Sequence, residues 1–175
     1  MSFKLAVDLA PSNWIFGDSL YSNLTKKAWE SVRQSVLNKY QFRCAVCEAD
    51  EKGLNCHEVW SFSVENGTRS LIEILPLCKM CHAVRHMDRP LIQDSYGFDE
   101  MKAHFMRVNG CSAEEFQAYY QQHQKEAESL ASRFESTNFV MWNTDYGEYT
   151  TVISQPGNLK KGYVWKNGYI VRSIE

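Results

Sequence analysis

The chain has 175 residues, 44% hydrophobic and 23% charged, with 19 basic against 21 acidic side chains and a formal net charge of −2. That length supports one packed domain with additions, or one small domain plus a tail, and the composition excludes disorder as the main state. The near-neutral balance excludes a global positive field, so a polyanion must be met by a local patch.

No apolar run approaches the roughly 18–20 residues of a membrane span. The apolar start, Met1 to Val7, is too short for a signal peptide and is cut by Asp8. A soluble, cytoplasmic protein is expected.

Residues 1–23 read as irregular. Leu24 to Tyr40 reads as a helix, with Leu24, Ala28, Val32, Val36 and Tyr40 at four-residue steps. Its other faces carry Lys26, Lys27, Arg33 and Lys39 against Glu30, either a solvated face or a surface for phosphates. Leu54 to Phe62 and Leu71 to Leu77 read as strands joined at Asn66-Gly67, a hairpin signal. Cys81 to Met87 opens a helix. Phe98 to Asn109 is a helix with Phe98, Met101, Phe105 and Val108 on one face and Gly110 past its end. His104 falls off that stripe and reads as a surface residue.

Ser112 and Glu115 form a capping box. The helix behind them carries Phe116, Tyr120, His123, Ala127, Leu130 and Phe134 on a seam that should pack on the preceding helix. His123 reads as interior. Tyr146 to Ile153 reads as a strand, and Gly162 to Trp165 with Tyr169 to Val171 as a hairpin. The five tryptophans are spread out and read as core anchors.

Six cysteines are the informative excess. Cys44 and Cys47, then Cys78 and Cys81, form two Cys-x-x-Cys pairs with 30 residues between them. A reducing compartment keeps thiols free, and two such knuckles suit one tetrahedral ion held by four thiolates. A structural zinc at these four residues is the expectation. Cys111 has no partner spacing. Cys56-His57-Glu58-Val59-Trp60 lies between the knuckles, and His82 and His86 follow them at a spacing that shares a helix face.

Knuckle, histidine-bearing strand, hairpin, then Leu77-Cys78-Lys79-Met80-Cys81-His82-Ala83-Val84-Arg85-His86 resembles an HNH endonuclease of the zinc-knuckle type, within a little-characterised bacterial and phage group. The resemblance is specific over residues 41–88, looser over the flanking helices and absent after about residue 145. It implies a ββα-metal core and a second divalent ion (Mg, Mn, Ni or Zn). It implies His57 as the base acting on water, His82 as a catalytic residue and metal ligand, and His86 as a further ligand. Cys56 falls where the family has an Asp or His ligand. Glu73 stands at the position of the family's central Asn. Glu58 could substitute as a ligand, although strand alternation puts it opposite His57.

The expected fold is α+β. Residues 1–40 hold an N-terminal segment and basic helix, 41–88 the HNH-like core, 89–143 a helical hairpin, and 144–175 a small antiparallel β tail. The implied function is metal-dependent hydrolysis of nucleic-acid phosphodiester bonds, in DNA first, with Lys26, Lys27, Arg33 and Arg85 as candidate nucleic-acid contacts. The alternative is a catalytically degenerate zinc module, a phage or mobile-element regulator that binds nucleic acid or a protein partner. A protein partner would use the tail or the acidic helix bearing Glu114, Glu115, Glu126, Glu128 and Glu135.

Overall fold

The computed structural model describes residues 3–11, 19–63, 68–133, 141–143, 150–166 and 169–172. It is an α+β structure. In chain order come α1 (Leu20–Asn23), α2 (Lys26–Lys39), β1 (Asn55–Ser63), β2 (Thr68–Leu77), α3 (Lys79–Arg85), α4 (Pro90–Tyr96), α5 (Phe98–Asn109), α6 (Ala113–Arg133), β3 (Met141–Asn143), α7 (Thr150–Ile153), β4 (Tyr163–Lys166) and β5 (Tyr169–Arg172).

Strands β1 and β2 pair antiparallel, with His57 opposite Leu75. The register slips between Val59, opposite Glu73, and Trp60, opposite Leu71. The extra residue, Ile72, is half exposed. Side chains alternate between faces along a strand, so the bulge resets the alternation. It lets Leu71 and Ile74 share one face while Leu75 and Leu77 occupy the other.

Two cores result, one on each face. Leu75 and Leu77 pack with Cys81 and Val84 of α3, Met101 and Phe105 of α5, and Phe116 and Tyr120 of α6. Leu71 and Ile74 pack with Ala28, Val32 and Val36 of α2 and with Ile153 and Ile170. The four-residue apolar rhythm of α2 is thus buried as its sequence suggests. Thr25 caps the helix by accepting from the Ala28 amide. Gly110 ends α5 with φ 63°, a left-handed turn that suits glycine. The Ser112–Glu115 capping box forms reciprocally, at 2.8 and 3.2 Å. His123 is interior, its Nε2 3.8 Å from an Asp88 oxygen.

The N-terminal arm is more ordered than its composition suggests. Leu5 is bonded at both its amide and carbonyl by Asn109, at 2.9 and 2.8 Å. The Val7 amide donates to Tyr119 Oη at 2.7 Å, and the Asp8 amide to the Arg85 carbonyl at 2.9 Å. Leu5 and Val7 are buried in the core of α3, α5 and α6.

The tail needs correction. Thr150–Ile153 is helical, not extended; Ile153 is fully buried against the α2 core, so packing overrides the β-branched run. Residues 146–149 lie outside the described residues, as do Asn66-Gly67 and Asn167-Gly168. The β4–β5 hairpin forms as expected, but it is not a separate sheet. Strand β3 joins it to the central hairpin in one sheet of order β1-β2-β3-β5-β4, with β2 and β3 parallel. Helix α4, entered at Pro90, has no counterpart in the sequence reading.

Phe105 is fully buried and touches Phe3, Phe116 and Tyr119 at ring separations of 5.1 Å. Phe105→Ala should cost about 3–5 kcal/mol, read as a lowered urea midpoint with an unchanged slope.

Candidate functional site

The first cluster is built from two turns. Cys44 and Cys47 sit in a loop whose chain reversal uses positive φ at Gln41, Phe42 and Glu48. The Glu48 amide bonds the Cys44 carbonyl, and the Ala45 amide bonds the Pro76 carbonyl at 2.8 Å, tying the first knuckle to the end of β2. Cys78 is the N-cap of α3, its sulfur accepting from the Cys81 amide. The four sulfurs lie within 4.8 Å of one another and could hold a metal ion. Cys47 and Cys78 are 3.6 Å apart, close to the roughly 3.8 Å between two thiolates on one tetrahedral ion with 2.3 Å bonds.

Without a cation the thiols compete for protons. Hydrogen bonds from Cys78 and Cys81 hold the Cys44 thiol far below its usual range. Sharing with Cys44 pushes Cys78 up to about 12, and Cys81 also rises. Only a cation lets all four ionise together.

His104 corrects the sequence reading. It is buried, with Nε2 3.1 Å from Cys81 Sγ and Nδ1 2.6 Å from Arg107 Nη2. Guanidinium can only donate, so Nδ1 accepts and the proton sits on Nε2, aimed at the sulfur. Burial, then Arg107, lowers the His104 pKa and keeps the ring neutral in that tautomer. A donor to a thiolate ligand is a typical orienting partner in a metal site.

The second cluster joins β1 to α3. His57 comes from the β1 face that meets α3; His82 lies on α3, and His86, four residues on, is the residue that caps its C-terminus. Their ligand nitrogens fall within 4.8 Å of one another. Ring centroids are 5.3 Å apart for His57–His82 and 4.8 Å for both His57–His86 and His82–His86.

Asp8, read in the sequence only as an interruption of an apolar stretch, stands beside them. Its Oδ2 is 2.9 Å from His57 Nε2 and 3.5 Å from His86 Nδ1, while its Oδ1 is 3.3 Å from Arg85 Nη1. Yet both ring nitrogens are fully buried and make no hydrogen bond. Buried nitrogen lone pairs without hydrogen-bond partners fit a metal-ligand set.

Burial dominates the electrostatics. It lowers His82 to about 4, with help from His57, and lowers His86 to about 2. Both rings are neutral at pH 7, the form a metal requires. Burial pushes the Asp8 carboxyl up, but His57, His86 and Arg85 together outweigh it and hold Asp8 below its ordinary value.

The remaining candidates divide. Cys56 lines the same cavity as the histidines but is outside their cluster: strand alternation turns it toward the α2 face, where it packs against the second core and burial raises its thiol to about 11. Glu58 shares that face. It accepts from the Leu20 and Tyr21 amides and from Trp60 Nε1, so it anchors α1; burial raises its pKa. Glu73 accepts from the Tyr40 hydroxyl. Arg85 is mostly buried on Asp8, so its guanidinium is engaged within the fold. Arg33 pairs with Glu30 at 3.6 Å; Lys26 and Lys27 are exposed. Trp29, Trp60 and Trp165 pack against the second core.

The histidines open onto a cavity of about 470 Å³ that also receives Arg33, Arg89, Tyr21, Trp29 and Trp60. Among the described residues no helix is long and apolar enough to cross a membrane. Comparison with family models, curated proteins and solved structures gave no match.

Metal analysis should find one tightly held ion per chain that Cys78→Ser loses together with the fold, whereas Cys111→Ser keeps both. His104→Ala should weaken that ion about 10–100-fold in a competition titration with a chromophoric chelator.

A second outcome concerns acid. With no ion on the histidines, His82 and His86 are depressed in the fold relative to the unfolded value near 6.5, so the unfolded chain takes up protons first. Stability is full above pH 6.5 and falls as pH drops from there toward 4, by up to about 1.4 kcal/mol per pH unit for each group. Urea melts between pH 7.5 and 5 should therefore show a shallower pH slope for His86→Asn than for the wild type.

Proposed function

We propose that the protein is a metal-dependent endonuclease of HNH-like type that hydrolyses phosphodiester bonds in DNA, with a structural zinc on Cys44, Cys47, Cys78 and Cys81. The observation that carries this reading is the convergence of His57, His82 and His86 at the wall of an arginine- and aromatic-lined cavity. Four thiolates select zinc, whereas imidazoles accept several divalent ions. The donor set therefore separates a structural site from a working one.

His57, His82 and His86 would hold a divalent ion, which would supply Lewis-acid chemistry for charge that develops on a phosphoryl oxygen. The chain's own residues do the rest. The knuckles and β1 hold the imidazoles in place before substrate arrives. Arg33 and Arg89 on the cavity wall draw the phosphate, and Trp29 and Tyr21 offer ring surfaces to bases. The resemblance gives His57 the part of base. Its packing against both helix histidines and its hydrogen-bond-free Nε2 favour it as a ligand instead.

The degenerate-module reading has its own support. Cys56 and Glu73, at two positions the family uses, are turned to the α2 core and to Tyr40. The two readings part in a plasmid assay with Mg, Mn, Ni and Zn. The nuclease reading expects nicking that His82→Ala lowers by about 10²-fold or more, with DNA binding at low salt retained. Lys26→Glu with Lys27→Glu should weaken binding and flatten its salt dependence by about 0.9 for each phosphate no longer neutralised. Cutting no greater than background with every ion would select the binding module. Absence of DNA binding as well would leave a protein partner.

A further inference from the structure

We infer that Asp8 is a metal ligand, delivered by the N-terminal arm beside His57 and His86 of the histidine cluster. The inference rests on the reading that the three histidines hold an ion, and adds a ligand from outside the hairpin and helix.

Two ligands on one tetrahedral ion with bonds near 2.0–2.1 Å lie about 3.3 Å apart. Asp8 Oδ2 stands 2.9 Å from His57 Nε2 and 3.5 Å from His86 Nδ1, on either side of that value. A carboxylate there simply to bond the imidazoles would sit on their N–H axes. Instead both nitrogens are buried and form no hydrogen bond. Asp8 Oδ2 thus stands at a shared-ligand distance from two of the three rings, His57 and His86.

The arm is built for this placement. Asn109 and Tyr119 fix residues 5 and 7 from α5 and α6, and the Asp8 amide is fixed by the Arg85 carbonyl. The Arg85 side chain then takes Oδ1 at 3.3 Å. One oxygen is held by a cation in the fold and the other is presented to the histidines, which defines a monodentate ligand with its orienting partner. Neutral imidazoles joined by one carboxylate carry a single negative charge against a dication. Such a set suits borderline first-row ions better than magnesium, which prefers oxygen ligands and retains water.

The test uses full-length protein with zinc restored at one equivalent, followed by titration with Co²⁺. Zinc binds a given site more tightly than cobalt, so the thiolates stay with zinc and cobalt reports the second site. Wild type should bind one cobalt with the intense visible absorption of four-coordination, and Asp8→Asn should bind it at least about tenfold more weakly. Asp8→Cys should bind cobalt with a new thiolate-to-cobalt charge-transfer band in the near ultraviolet. That band arises only if residue 8 touches the ion, and retention of the tightly held zinc marks either variant as folded. Cobalt bound with unchanged affinity and spectrum in Asp8→Asn, and no new band in Asp8→Cys, would overturn Asp8 as a ligand and leave the histidine site standing. Failure of the wild type to bind a second ion would overturn the histidine site and this inference with it.

Discussion

Everything at the candidate site depends on one junction, the meeting of two knuckles 30 residues apart in sequence. Cys78 is at once a member of the sulfur cluster, the last step out of β2 and the cap of α3. Fixing it sets the phase of α3. Cys81 then turns toward Cys44 and Cys47, while His82 and His86 turn about a third of a revolution away, toward β1. One short helix serves two clusters because Cys81 and His82 use different faces. A seven-residue helix has little intrinsic stability, so its direction is set by this junction and by Ala83 and Val84 in the core. The His104 bond to Cys81 extends the junction to α5 and links the packing of the helical half to the sulfur cluster.

Strand alternation divides the chemistry of Cys56-His57-Glu58. His57 faces the knuckle side, and its two neighbours face α2. The carboxylates follow the same division. Asp8 is held down in pKa because cationic and imidazole groups surround it, whereas Glu58 is raised because burial outweighs the amides that it accepts from. Glu58 is therefore committed to α1, and a carboxylate for the histidines must come from elsewhere. The arm supplies it from a position 49 residues before His57 in the sequence.

That separation explains which features are legible in the sequence. The α2 stripe, the α5 and α6 helices, the capping box and the knuckle spacing are all written within windows of a few residues, where period and chemistry are local. The three histidines can be grouped because two share a helix turn and the third sits between the knuckles. Asp8 cannot be found this way, since only the Asn109, Tyr119 and Arg85 contacts bring it in. His104 escapes the sequence for a related reason. One apolar stripe implies one buried face, but α5 meets the core through Met101 and Phe105 and meets the knuckles through the adjacent His104. The Thr150–Ile153 run looks like a strand by composition, and burial of Ile153 on α2 makes it a helical turn instead.

The same contacts reshape the charge argument. A net charge of −2 looks unfavourable for a polyanion partner, and the structure commits several arginines within the fold: Arg85 serves Asp8, Arg107 bonds His104, and Arg69 is buried over the Trp60 ring. Arg89 also lines the cavity; burial lowers its pKa to about 10, which leaves it charged at neutral pH. Lys26 and Lys27 extend the positive surface along exposed α2. Under the proposed function, attraction at long range is therefore weak, and binding must come from short-range contacts inside the cavity, where Tyr21 and Trp29 meet edge to face with ring centroids 5.7 Å apart. Contacts of that kind favour a nucleotide whose base is free to leave its stack, because a ring buried in a duplex presents no face to an aromatic side chain. Local geometry around the histidines, rather than the field of the whole chain, then decides which phosphodiester reaches them.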